Sequence, residues 1–92
     1  MNVALDKADL ERGVLVGAKL IATDFSEANL RAADLSGADV GLVNFNGADI
    51  RGAKMMCLRI GSANFDGALI DDETIFPEGF VFLNYRSQND RK

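Results

Sequence analysis

Residues 28 to 54 read ANLRAADLSGADVGLVNFNGADIRGAK, and the apolar side chains Leu30, Leu35, Val40, Phe45 and Ile50 fall at every fifth position. The column runs on in both directions, because every multiple of five from Leu5 to Ile70 is Leu, Ile, Val, Phe or Met. Two residues before each of these fourteen centres stands a small or apolar partner, alanine in nine cases and Leu58 in the bulkiest. The other three positions of each five-residue unit are mostly polar.

This period fits neither regular element. Five steps along an α-helix turn a side chain by about 140°, so the column would wander around the helix and form no face. Along a flat strand, successive centres would point to opposite sides of the sheet. Within one unit, however, the centre and its partner are two residues apart and share a face of an extended piece. Each unit therefore reads as a short extended piece followed by a corner. Phenylalanine sets the number of corners per coil, since among the centres it occurs only at Phe25, Phe45 and Phe65, spaced by twenty. Four units close a coil, and coils stacked at about 4.8 Å place those three rings in one pile. The pattern predicts an all-β, four-sided parallel solenoid of about three and a half coils, with centres and partners inside.

The polar residues agree with corners. The position before the centre is Asp or Asn at Asp9, Asp24, Asn29, Asp34, Asp39, Asn44, Asp49 and Asn64, and the positions after it hold Ser36-Gly37, Asn46-Gly47, Arg51-Gly52 and Asp66-Gly67. Asp and Asn bond to their own local backbone, and glycine accepts positive φ.

The units ADLER, ANLRA, ADLSG, ADIRG and ANFDG resemble the pentapeptide repeat, A(D/N)Lxx, over residues 3 to 72 or so. The resemblance implies a right-handed quadrilateral β-helix; the hand is not read from the spacing. Val14-Leu15-Val16, Leu42-Val43 and Met56-Cys57-Leu58 depart from the pattern.

These features divide the chain into a solenoid over residues 1–72, a cap over 73–85 and a polar, disordered tail over 86–92. Beyond Ile70 the centres continue as Ile75, Phe80 and Tyr85, but their inward partners would be Glu73 and Glu78, which a dry interior does not accept unpaired. The coil is expected to stop there. Pro77-Glu78-Gly79 makes a turn, and Phe76, Phe80 or Phe82 plugs the end of the core. At the other end the repeat begins within three residues of Met1 with no comparable cap. That end is either a frayed first coil or a paired one, joined to a second copy or to an element outside this sequence.

Composition narrows the function. Ten basic and fourteen acidic residues give net charge −4 without a histidine, which excludes Ser-His and Cys-His nucleophiles and histidine metal sites and argues against direct nucleic-acid binding. No cofactor or metal is implied, and no stretch serves as a signal peptide or membrane span. One cysteine, Cys57, rules out an internal disulfide and fits a reducing compartment, so cytoplasmic is the simplest localisation. The five-residue register puts Cys57 in an outward slot.

Sorted by side, the outward residues form two kinds of surface. A candidate acidic face carries Asp6, Asp24, Glu27 and Asp66 against Lys7, and the next side mixes carboxylates with Arg12, Arg31 and Arg51. The other two sides carry Val14, Val16, Ile21, Leu42 and Met56, a candidate interaction surface that could be covered by the chain's own FVFLNY segment or by another protein. The expected function is a non-enzymatic scaffold or protein-interaction module. Two alternatives are carried with it. Some relatives protect DNA gyrase from quinolones by imitating duplex DNA, so the chain could bind gyrase or another DNA-binding protein; or it could be a repeat fragment of a larger protein.

Overall fold

Short extended pieces alternate with tight corners along the whole of residues 3–80, which the computed structural model describes. The pieces are joined from coil to coil by single parallel bridges, the first Ala4 to Asp24 and the last Lys54 to Ile75. Among the described residues nine of the eleven bridges join residues twenty apart, so four five-residue units do return the chain to its starting side. We name the sides by their centres: the phenylalanine side (Leu5, Phe25, Phe45, Phe65), the arginine side (Leu10, Leu30, Ile50, Ile70), the third side (Leu15, Leu35, Met55) and the fourth side (Leu20, Val40, Ile60).

The corners follow from the backbone. From Leu5 to Ile50 each centre carbonyl accepts the N–H of the residue three on, as Leu5 does from Ala8 at 3.0 Å and Leu30 from Ala33 at 3.0 Å. The residue two after the centre has positive φ at every corner from Lys7 to Gly52, the mark of a type II turn. Glycine meets this demand at Gly17, Gly37, Gly47 and Gly52, whereas Ala22, Ala32 and Leu42 meet it at a steric cost of about 1 kcal/mol each. Gly52→Ala is therefore expected to lower unfolding free energy by about 1 kcal/mol and Leu42→Gly to raise it by a fraction of that. Urea denaturation of the two variants measures both.

Inside, the centres and their small partners form one core in which Leu30, Leu35, Val40, Phe45, Ile50 and Met55, with Ala33, Ala38, Ala48 and Ala53, are fully buried. Phe25 and Phe45 lie with ring centroids 5.7 Å apart and planes 5° from parallel, and Phe45 and Phe65 4.9 Å apart at 8°. This is the pile expected from their twenty-residue spacing.

In two places the structure departs from a strict five-residue count. Asp39 bridges to Leu58, nineteen residues on. The corner after Met55 is one residue short, closed by a bond from the Cys57 N–H to the Met55 carbonyl at 2.8 Å. Cys57 thus takes the inward slot that the count assigns to Leu58, and Leu58 is 57% exposed while Cys57 is buried. The slot accounts for the exchange: the other buried occupants are Ala, Thr and Val, and leucine is too large for it. The lost residue is restored by Arg59, in the left-handed region at φ 57°, and by a single turn of 3-10 helix over Ile60–Ser62. Ile60 and Phe65 then return to their centres.

The second departure ends the coil. The bridge from Lys54 to Ile75 spans twenty-one residues, so Ile75 stands outside and 47% exposed rather than at a centre, and Phe76 packs on the core in its place. The extra residue lies in a knot around Asp71 and Thr74. The Asp71 carboxylate accepts the Gly52 N–H at 3.0 Å and the Glu73 N–H at 3.0 Å, and the Thr74 hydroxyl donates to the Ile50 carbonyl at 3.0 Å. The knot turns Glu73 outward and half-buries Thr74 instead. Phe76 and Phe80 meet Phe65 edge-on at 6.1 and 5.9 Å, closing the described end of the ring pile. Phe82, Tyr85, the rest of the expected cap and the tail over 86–92 lie outside the described residues.

Candidate interaction surface

The outward positions are laid out in rows by the bridges, so the neighbours of any candidate residue follow from the register. All eight Asp or Asn residues before the centres accept the backbone N–H two residues on, from Asp9 to the N–H of Glu11 at 3.3 Å through Asn64 to that of Asp66 at 2.9 Å. The column is therefore built into the corners. Four of its aspartates are held below the ordinary value of 3.8: Asp24 by the Ser26 hydroxyl and N–H, Asp34 by the Ser36 hydroxyl, Asp39 by the Arg59 guanidinium and Asp49 by the Arg51 guanidinium.

These depressed values make a statement about acid. The folded chain holds protons on these groups less readily than the unfolded chain, so their contribution is complete above the unfolded value and is lost as pH falls through the folded values. The unfolding midpoint is expected to be flat from neutrality down to about pH 5 and to fall below about pH 4. Thermal melts at stepped pH test the sign, which a rise in stability on acidification would reverse.

On the candidate acidic face, Asp6, Glu27 and Asp66 are exposed and Asp24 half-buried. Their rows are not continuous. The hydrogen bonds of Lys7 to Ser26, Glu27 to Asn46 and Gly47 to Asp66 place Ser26 and Asn46 between Asp6 and Asp66, and Asp24 is followed by Asn44 and Asn64. On the arginine side each of the three arginines is paired with a carboxylate. Arg51 meets both carboxylate oxygens of Asp49, at 2.9 and 2.7 Å, Arg31 approaches Asp49 at 3.9 Å and Arg12 pairs with Glu11 at 3.5 Å.

The apolar candidates Val14, Val16, Ile21, Leu42 and Met56 are all exposed, Val14 by 77% and Leu42 by 69%. The register sets Asp34 after Val14, Ser36 between Val16 and Met56, and Gly41 after Ile21. They form a dotted surface across the third and fourth sides rather than an unbroken patch. Leu58 joins them on the fourth side, beside Asp39, where Arg59 bonds the Asp39 carboxylate at 2.6 Å. Counting by fives hides Leu58; the signal that could have exposed it was its own bulk in a partner column otherwise made of Ala, Gly, Thr and Val.

Cys57 faces inward, which corrects its outward assignment, and its thiol donates to the Leu35 carbonyl at 3.3 Å. Burial pushes the thiol up to about 12, so little thiolate exists near neutrality. Labelling by a thiol reagent at pH 8 is expected to be slow in the native protein and fast in urea; equal rates would place the sulfur outside. Among the described residues no group of three or more Cys, Asp or Glu is arranged to hold a metal ion, and no helix is long and apolar enough to cross a membrane.

A family model described as pentapeptide repeats matches the chain in eight copies, over residues 4–40 and 23–56. Among solved structures, a pentapeptide repeat protein from Nostoc superposes with TM-score 0.71 at 36% identity, over 89% of this chain and 72% of that one. A second, from the cyanobacterium Cyanothece, gives TM-score 0.54 at 28% identity over 80% of this chain, which spans 54% of its length. No curated protein matches significantly.

Proposed function

The chain belongs to the pentapeptide repeat family, whose members fold as right-handed β-helices, and from that premise we propose that it is a non-enzymatic module that binds another protein through the outer surface of its solenoid. The observation that carries this reading is the set of large apolar side chains, Val14, Val16, Leu42, Met56 and Leu58, held outward on a backbone whose corners are each pinned by hydrogen bonds. A rigid surface of this kind loses little conformational entropy on association, and exposed apolar anchors supply its driving force. The corner aspartates are occupied by backbone and arginine, which supports a structural use of them rather than a chemical one.

The test is affinity capture from an extract of the native cell, comparing the wild-type chain with the Val16→Lys/Leu42→Lys variant. A partner retained by the first and lost by the second is the expected result; identical captures would count against the surface. Imitation of duplex DNA needs a nearly continuous negative surface, and here Ser26, Asn46 and the paired arginines interrupt it. Gyrase supercoiling is accordingly expected to continue unchanged at micromolar protein, whereas inhibition would favour that alternative.

A further inference from the structure

Every inner coil is bonded on both of its edges. Asp24, for example, donates its N–H to the Val3 carbonyl at 2.8 Å and accepts the Leu5 N–H at 2.8 Å, and Asn29 does the same with Ala8 and Leu10. In the first coil the equivalent residues are Ala4, Asp9, Val14 and Lys19, one on each side. Among the described residues none of these four uses its backbone N–H or carbonyl in a backbone hydrogen bond. Below them Leu5, Leu10 and Leu15 are only partly buried, so among the described residues the edge combines unpaired backbone with a partly uncovered core. Such an edge is a template for another strand.

We propose that this edge pairs head to head with the same edge of a second copy of the chain, about a two-fold axis that sets Asp9 of each copy against Lys19 of the other. Turning one solenoid over reverses the direction in which its coil runs, so all four facing sides meet antiparallel. In that arrangement two facing residues exchange both N–H···O bonds, which is what a residue with both groups free requires.

The outward side chains select the axis. An axis through the phenylalanine and third sides puts Ala4 on Ala4, Val14 on Val14, and Asp9 on Lys19 twice. The axis through the other two sides puts Asp9 on Asp9 and Lys19 on Lys19. Axes through the corners set each charge against Ala4 or Val14. Only the first arrangement pairs opposite charges and buries Val14 against itself. Lys19 and Asp9 stand on opposite sides of one coil and share no ion pair within it. The interface is one coil across, at the small end of specific contacts, so a dissociation constant in the micromolar range is expected.

Sedimentation of the full 92-residue chain at concentrations up to about 1 mM is expected to show a dimer. Asp9→Lys or Lys19→Glu alone turns two attractive pairs into two repulsive ones and is expected to weaken dimerisation roughly tenfold or more, and the double exchange Asp9→Lys/Lys19→Glu to restore it. Amide hydrogen exchange of the wild-type chain supplies a readout free of substitution: the N–H groups of Ala4, Asp9, Val14 and Lys19 should be protected in the dimer and fast on dilution. A strict monomer at the highest concentration, single variants that dimerise like wild type, a double exchange that fails to rescue, or four fast amides in the dimer would each overturn the pairing.

Discussion

Phe45→Ala is expected to lower the unfolding free energy by about 3–5 kcal/mol, a large part of the roughly 5–14 kcal/mol that a chain of this length possesses. Phe45 has no exposed surface and is the middle ring of the pile, so its removal strips both Phe25 and Phe65 of a stacked partner. The cavity cannot collapse easily, because the backbone above and below is held by bonds such as Phe25 N–H to the Asn44 carbonyl at 2.7 Å and Phe45 N–H to the Asn64 carbonyl at 2.7 Å. Phe45→Leu keeps most of the volume and should cost less than half as much. Urea denaturation followed by circular dichroism distinguishes these outcomes, and an alanine variant within about 1 kcal/mol of wild type would show that the stack is incidental.

Ala48→Leu is expected to cost about 3 kcal/mol, at the upper end for overpacking. Ala48 fills an inward slot with no exposure, between stacked coils. The chain already shows how it answers a leucine offered to such a slot: at Leu58 it shortens the corner, admits Cys57 and puts leucine outside. That escape is closed at position 48. The corner before it is held by Gly47 at φ 68°, and a shift would break the bonds from Asp49 N–H to the Ala28 carbonyl and from Leu69 N–H to the Ala48 carbonyl. A variant as stable as wild type would mean that the slots are deeper than the native residues imply, and the account of Leu58 would fail with it.

The two kinds of position differ in how far the sequence reveals them. Phe25, Phe45 and Phe65 could be placed in one pile before any coordinates, because twenty residues per coil is a property of a period that repeats fourteen times. The corner role of Asp24 or Asn44 was equally legible, since a short Asx side chain readily bonds its own local backbone. Phe76 packs on the end of the core as its expected plugging role requires, whereas Leu58, Cys57 and Ile75 were not placed correctly. Each lies where the chain drops or adds one residue, and a count by fives carries its error forward until a compensating change occurs.

The surface was legible residue by residue and not as a surface. Val14, Val16, Ile21, Leu42 and Met56 point outward because of their phase in the repeat, but whether Ser36 or Gly41 stands between them depends on which coils are adjacent.

What the sequence determined by itself is the period, the corner chemistry and the identity of the core column, all of them local consequences of side-chain size and backbone conformation. The tertiary structure alone decided where the register slips. A slip trades a strained corner against an oversized side chain in a closed slot, and the slot's size exists only once neighbouring coils are stacked on it.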